Sequence, residues 1–197
     1  MEKRINEQES LQIIMNMITA VKQDMYDNSF YYLLWGWLVF IASISHYILL
    51  QAGNAHADFV WMLMPLGGVI TFFNSMKQKQ KKKAKTYVDE FMKYVLIAFL
   101  TCLLLTLFFM HKLQLNTYPI LLMVYGFWLF ISGGAVRFKP LMAGGIINWL
   151  CAVTAFFVSF DLQLLLLAAA VLLGYIVPGY MLRAKHLSVS TSTTSIV

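Results

Sequence analysis

One stretch of this sequence, residues 91–111, reads FMKYVLIAFLTCLLLTLFFMH. Its single formal charge is Lys93, which lies close to the beginning of the stretch. A bilayer core about 30 Å thick requires roughly 20 predominantly apolar residues when an α-helix crosses it. Because the stretch has this length and this composition, we expect it to form a membrane-spanning helix.

Five further apolar stretches of comparable length lie on either side of residues 91–111. In hydrocarbon every peptide group must find its partner inside the protein, so a spanning segment forms a helix or part of a closed barrel. The alternating pattern of barrel strands does not occur in the sequence, and helices remain. Asp161 and Gln163 interrupt the last apolar run, and we expect a tight hairpin at 159–163 because 141–182 is too long for one crossing. The predicted spans are 30–51, 58–76, 91–111, 117–136, 141–160 and 162–183.

The composition agrees with an all-α, polytopic transmembrane helix bundle of about six spans. The chain of 197 residues is 60% hydrophobic and 12% charged, whereas soluble domains are nearer half apolar and a quarter charged. This balance excludes a water-soluble domain with a single core, because one core cannot hide so much apolar surface. The two cysteines, Cys102 and Cys151, fall inside apolar stretches, so we expect buried free thiols and no disulfide framework.

The distribution of lysine and arginine predicts the orientation, because loops on the cytoplasmic side carry an excess of these residues. With a cytoplasmic N-terminus and an even number of spans, the outer side holds only Lys112. We therefore expect both termini in the cytoplasm, N-in and C-in. The inner side then holds Lys3, Arg4, Lys22, Lys77, Lys79, Lys81, Lys82, Lys83, Lys85, Lys93, Arg137, Lys139, Arg183 and Lys185.

Residues 1–28 precede the predicted transmembrane domain, 29–184, and we interpret them as an amphipathic cytoplasmic helix and not as a cleavable signal peptide. Their charges are net acidic, which gives no attraction to an anionic leaflet. We therefore favour docking on the chain's own basic loop, on another protomer or on another protein over a plain interfacial segment. Residues 185–197, rich in Ser and Thr, are expected to form a disordered cytoplasmic tail. The predicted partner-contact stripe of this helix consists of Ile14, Met17, Ile18, Val21 and Met25.

The strongest charge feature is a lysine run after the second predicted span. It supplies much of the net charge of +6, and its first role is to hold this loop on the cytoplasmic side. Contact with anionic lipid headgroups, at about 1 kcal/mol for each charge near the surface, is a second interpretation, and a plain solvated loop is the alternative. Nucleic-acid binding is disfavoured because the loop lacks interleaved aromatic residues. The run consists of Lys77, Lys79, Lys81, Lys82, Lys83 and Lys85.

Residues with catalytic or metal-binding chemistry are few. No Asp, Glu or His falls at the middle of a predicted span, which disfavours a proton-coupled transporter. His46, His56, Asp58 and His111 fall toward the outer side, where we expect them to reach water or headgroups. A metal site is the less favoured interpretation, because their spacing matches no metal motif. We expect no catalytic set, no metal and no cofactor, and hence no enzyme.

Proline, glycine and asparagine mark where a cavity would form if the bundle has one. Pro65 and Pro178 are expected to kink the second and sixth spans, and Gly67 permits close helix approach. Asn148 falls near the middle of the fifth span, where its amide is expected to hydrogen-bond across helices. These four residues are the predicted cavity lining, but close packing and interhelical hydrogen bonding are the preferred interpretation.

Five short motifs lie along the chain, at 9–14 (ESLQII), 28–30 (NSF), 34–37 (LWGW), 144–149 (GGIINW) and 176–180 (IVPGY). They resemble motifs of a group of small bacterial six-helix membrane proteins that have an N-terminal amphipathic helix and a Trp-Gly-containing first span. The resemblance implies a multi-pass protein of the bacterial inner (cytoplasmic) membrane. It implies no particular activity.

Two classes of function remain open. The leading hypothesis is a protein without enzymatic activity that acts through protein–protein contacts, as a scaffold or regulatory subunit, with a second copy or a cytoplasmic protein as partner. The alternative is a small transporter or channel with a site near the kinked second, fifth and sixth spans. A membrane enzyme comes third, because it would need a convergent polar site among the outer histidines and Asp58.

Overall fold

The computed structural model describes residues 29–79 and 87–184, and within them the chain is helical and contains no strand. Within these two ranges, five helices are long and apolar enough to cross a membrane. The predicted all-α membrane helix bundle is therefore confirmed, and the predictions for 1–28 and 185–197 fall outside the described residues. The six long helices are α1 (Ser29–Gln51), α2 (Met64–Lys79), α3 (Tyr87–Phe108), α4 (Thr117–Val136), α5 (Lys139–Ala155) and α6 (Phe160–Ala184).

Short helical segments complete two of the connections. A 3-10 helix, Ala57–Leu63, leads directly into α2 and is called the cap helix below. Pro65 lies in the first turn of α2, where a missing N–H needs no partner, so it begins this helix instead of kinking it. The turns Met110–Leu113 and Gln114–Asn116 connect α3 to α4.

The hairpin between α5 and α6 lies earlier than the expected 159–163. The turn covers 156–159, and α6 begins at Phe160 with Asp161 and Gln163 in its first turn. A carboxylate in this position interacts favourably with the positive end of the helix dipole. Polar residues that resemble a loop in the sequence therefore begin a helix, and α5 is only 17 residues long.

The core of the bundle is formed by α1, α4, α5 and α6: α5 packs against its antiparallel neighbours α4 and α6, and α1 packs against α6. Glycine brings two of these helices into backbone contact: a Cβ atom added to Gly144 of α5 would lie 2.7 Å from the Cα atom of Gly174 in α6. Gly145 approaches α4 in the same way, because its added Cβ would lie 2.8 Å from the carbonyl oxygen of Gly126. Lipid gives apolar helices no hydrophobic reason to associate, so small residues that permit such contact are what hold them together.

The helices α2 and α3 lie at the periphery. A face of α2 packs on α1, where Gly67 adjoins Leu38, and α3 packs on α4 through the ring of Phe99 against Tyr125 and Trp128. The outward faces of both helices are exposed and apolar, as expected of surfaces covered by hydrocarbon. They present Leu66, Val69, Ile70, Phe72, Phe73 and Met76 on α2, and Phe91, Tyr94, Ile97, Leu100, Leu104 and Phe108 on α3.

The two cysteine side chains are more exposed than the sequence predicts. Both cysteines are free, but Cys102 is exposed on α3 and Cys151 is half-buried on α5. The reason is that α3 contacts the rest of the described bundle along one face, so an apolar position in its sequence is not automatically an interior one.

A glycine substitution tests the backbone contact between α5 and α6. In Gly144→Ala the added methyl group meets backbone that cannot rotate away, so we expect the free energy of unfolding to fall by about 1–3 kcal/mol, as for other overpacked sites. Gly134→Ala is the matched control, because nothing lies within 4 Å of its added Cβ. Reversible unfolding in mixed micelles measures both, and equal losses would contradict the assigned role of Gly144.

Candidate functional site

A polar cluster lies at the end of the bundle covered by the cap helix, called the cap end below. His46, on α1, is 2% exposed, although the sequence predicts a side chain that reaches water. The cap helix folds back over α1, and its Trp61 donates a hydrogen bond from Nε1 to His46 Nδ1 at 2.8 Å. Asp58, from the same 3-10 helix, lies with Oδ1 3.2 Å from His46 Nε2. The cap helix therefore covers the imidazole and occupies both of its nitrogens.

The hydrogen bonds define the tautomer of His46. The indole N–H of Trp61 can only donate, so His46 Nδ1 must be the acceptor and carry no proton. The proton of the neutral ring then resides on Nε2, from which it is donated to the Asp58 carboxylate. The Asp58 side chain is itself 87% exposed, so this pair joins an interior ring to a solvated charge.

Aromatic rings enclose the imidazole of His46. Trp61 and Phe160 meet it edge to face, with ring centroids at 6.1 and 5.8 Å. Tyr118, at the start of α4, packs against both of these rings, at 6.1 Å from Trp61 and 5.4 Å from Phe160. The cluster thus joins α1, α4, α6 and the cap helix, and such ring pairs contribute beyond the area that they bury.

The geometry around His46 suits a structural role better than a metal site or a catalytic site. A general base or a metal ligand needs a free nitrogen lone pair, and Trp61 uses the one that His46 has. His56 packs instead against the ring of Phe59, and His111 lies exposed in Met110–Leu113. In residues 29–79 and 87–184 no group of three or more His, Cys, Asp or Glu could hold a metal ion.

A second polar group lies deep in the core, between α5 and α6. Asn148 is fully buried, and its Nδ2 donates to the carbonyl oxygens of Gly144 at 2.8 Å and of Ala170 at 3.3 Å. The first bond stays within α5, whereas the second reaches α6. The amide of Asn148 therefore links the two helices beside the Gly144 contact, while its Oδ1 accepts no hydrogen bond from the described residues.

Gln163 has a role that the sequence does not suggest. From the first turn of α6 its Nε2 donates to the carbonyl oxygens of Ala155 at 2.9 Å and Val158 at 3.4 Å. The last carbonyl groups of a helix have no partner inside it, so this side chain caps the end of α5. The one available signal is a glutamine in an otherwise apolar run, which in hydrocarbon must bond to something.

Three tyrosines form a further buried group that sequence analysis misses. Tyr175, on α6, lies with its ring centroid 6.3 Å from that of Tyr32 on α1 and 5.8 Å from that of Tyr125 on α4. Tyr32 is the fourth residue of α1, and no local pattern in the sequence shows that Tyr175 of α6 packs against its ring.

The predicted cavity residues are distributed over different helix pairs. Pro65 is exposed at the start of α2, and Gly67 lies between α2 and α1. Asn148 lies between α5 and α6, and Pro178 is buried on α6 just after a π-helical turn, Leu172–Ile176. Pro178 has no N–H to donate to the backbone of the preceding turn. Single π-helical turns inside α-helices are rare and occur frequently at functional sites.

The predicted surface contacts lie largely outside the described residues. Lys77 is exposed near the end of α2, and Lys79 ends that helix. The remaining lysines of the run and the whole stripe at 14–25 fall in the undescribed segments. Lipid contact by the run and partner contact by the stripe stay predictions.

Comparisons with known proteins give no relative. The chain matches no protein-family model, and neither a curated protein nor a solved structure is significantly similar to it. The resemblance to small bacterial six-helix membrane proteins stays a prediction, and the assignment to a membrane rests on the chain's own helices.

A tryptophan substitution tests the contact between the cap helix and α1. Trp61→Phe keeps a large ring but leaves His46 Nδ1 buried without its donor, so we expect a loss of about 1–3 kcal/mol in the free energy of unfolding. Trp37→Phe is the control, because Trp37 is 40% exposed on α1, the helix that holds His46, and its loss should stay within about 0.5 kcal/mol. Unfolding in mixed micelles compares them, and indistinguishable losses would contradict the role of Trp61.

Proposed function

We propose that this chain is a multi-pass protein of the bacterial inner membrane that acts through protein–protein contacts, as a scaffold or regulatory subunit. The observation that supports this proposal best is that interior polar side chains form hydrogen bonds within the chain itself. The side-chain amides of Asn148 and Gln163 donate to main-chain carbonyls of the chain itself, and Gly144 meets the backbone of Gly174. These interactions hold helices together and contribute nothing to a passage between them.

The orientation in this proposal has both termini in the cytoplasm. The antiparallel packing puts the end of α2, the start of α3, the α4–α5 turn and the end of α6 at one end of the bundle, opposite the cap end. This lysine end holds Lys77, Lys93, Arg137, Lys139 and Arg183, while Lys112 lies at the cap end. The positive-inside rule supports a cytoplasmic lysine end, where a partner would meet the acidic 1–28 segment and the lysine run together.

Stripe variants test the contact. Because Val21 belongs to the apolar stripe and Gln23 lies on the opposite side of the predicted helix, Val21→Glu and Gln23→Glu add the same charge to different faces. We expect Val21→Glu, and deletion of residues 2–25, to abolish binding of a second copy or of a cytoplasmic protein, and Gln23→Glu to preserve it.

Two measurements in mild detergent read out this experiment. Co-purification of differently tagged copies detects self-association, and quantitative mass spectrometry of the purified membranes detects other partners. If the deletion leaves both unchanged, the stripe is not a contact surface and the proposal fails for residues 1–28.

A small transporter or channel is the second candidate, and one set of observations favours it. The buried oxygens Ser43 Oγ, Asn148 Oδ1 and Gln163 Oε1 accept no hydrogen bond from the described residues. Unsatisfied buried acceptors are costly in hydrocarbon and call for an explanation. A polar solute or ion passing near α5 and α6 would supply partners, and the π-helical turn Leu172–Ile176 lies on the same helix as Gln163.

Thiol accessibility separates the two candidates. In a background of Cys102→Ser and Cys151→Ala, a thiol at Asn148→Cys is expected to resist a charged, membrane-impermeant reagent in native membranes, because residue 148 is fully buried. Gln51→Cys, exposed at the end of α1, is the control and should react. Rapid labelling at residue 148, with Gln51→Cys labelled normally, would favour a water-filled path over a closed bundle.

A further inference from the structure

Two indole hydrogen bonds attach the cap helix and α2 to α1. At the cap end, Trp61 Nε1 donates to His46 Nδ1 at 2.8 Å. Between α1 and α2, Trp35 Nε1 donates to Thr71 Oγ1 at 3.1 Å. The bonds run in opposite directions across the contact, since the first indole belongs to the cap helix and the second to α1.

The acceptors of these two bonds differ in their chemistry. Imidazole changes its charge between about pH 5 and 8, whereas a threonine hydroxyl does not titrate in water. A proton that binds neutral His46 must bind Nδ1, because Nε2 already carries one. The protonated Nδ1 becomes a donor that faces the indole N–H of Trp61, and two donors cannot form a hydrogen bond. The bond of Thr71 with Trp35 is indifferent to this change.

Two opposing effects act on the protonation of His46. Burial of the ring disfavours the imidazolium, whereas the Asp58 carboxylate, the charged group that faces the ring at 3.2 Å from Nε2, favours it. Because that carboxylate is largely exposed, the ring borders solvent on its Nε2 side. From α6 the facing group is the uncharged ring of Phe160, next to Asp161, and from α4 it is the phenol of Tyr118 behind Trp61.

We propose that His46 is a proton-operated switch for the attachment of the cap helix to α1. In the neutral state the imidazole holds both Trp61 and Asp58. In the protonated state it keeps Asp58 as an ion pair and releases the Trp61 indole, so the cap helix detaches from α1 at Trp61. The Trp35–Thr71 bond stays in place, and the change is therefore confined to the cap end. With the lysine end in the cytoplasm, the switch responds to acid outside the cell.

Fluorine NMR on the intact protein tests this switch. The chain, labelled with 5-fluorotryptophan and reconstituted in phosphatidylcholine nanodiscs, has five tryptophans, and Trp→Phe variants assign the Trp61 and Trp35 resonances. Between pH 8 and pH 4 we expect the Trp61 resonance to shift along a one-proton titration curve while that of Trp35 stays constant. A constant Trp61 resonance, or parallel shifts of both resonances, would overturn the proposal.

Two substitutions at His46 identify the titrating group. In His46→Asn the amide oxygen takes the place of Nδ1 as acceptor and cannot titrate, so the Trp61 resonance should stay constant across the pH range. In His46→Gln the amide takes the place of Nε2 and Trp61 loses its acceptor, so the resonance should lie near the acidic wild-type position at every pH. A titration that persists in both variants would assign the proton to another residue and refute the switch.

Discussion

Hydrocarbon offers no hydrogen-bond partner to a peptide group, and the remaining features of this molecule follow from that constraint. Each spanning segment must be a helix that satisfies its own backbone, and the side chains then decide which helices meet. Since lipid is as apolar as leucine, apolar side chains alone do not choose neighbours. Glycine does, by letting α5 approach the backbone of α6 at Gly144 and Gly174, and the amide of Asn148 adds a hydrogen bond at the same contact.

The same constraint explains why the termini of the helices hold the more informative polar groups. A carbonyl at the end of α5 has no partner in its own helix, and Gln163 supplies one from α6. At the same end of the bundle the polar atoms of His46, on α1, are covered by the cap helix, which supplies both Trp61 and Asp58. In each case a polar side chain that a sequence assigns to the interface lies inside, because a neighbouring segment closes over it.

The sequence predicts the features of this structure that depend on neighbouring residues and misses those that depend on contacts between distant segments. Spans are local runs of apolar residues, and the helices Ser29–Gln51 and Thr117–Val136 begin within one residue of their predicted positions. The role of Asn148 as a link between helices could also be predicted from the sequence, since a lone amide in hydrocarbon must form a hydrogen bond. The burial of His46 could not be predicted, because it depends on Trp61, fifteen residues away across a turn whose path no local pattern reveals. The tyrosine group around Tyr175 requires three helices to be positioned first.

The peripheral helices connect the packing to the proposed functions. Because α2 contacts α1 along one narrow face, a small number of bonds decides its position, among them Trp35 with Thr71 and Trp61 with His46. A helix held in this way can change its attachment at one end without disturbing the glycine contacts of the core. The lysine run follows α2 directly, so a change at the cap end has a physical route to the end where a partner is expected to bind. The bundle thus combines a core packed through glycine with a peripheral helix attached by two indole hydrogen bonds, which is the arrangement that the proposed acid-responsive scaffold requires.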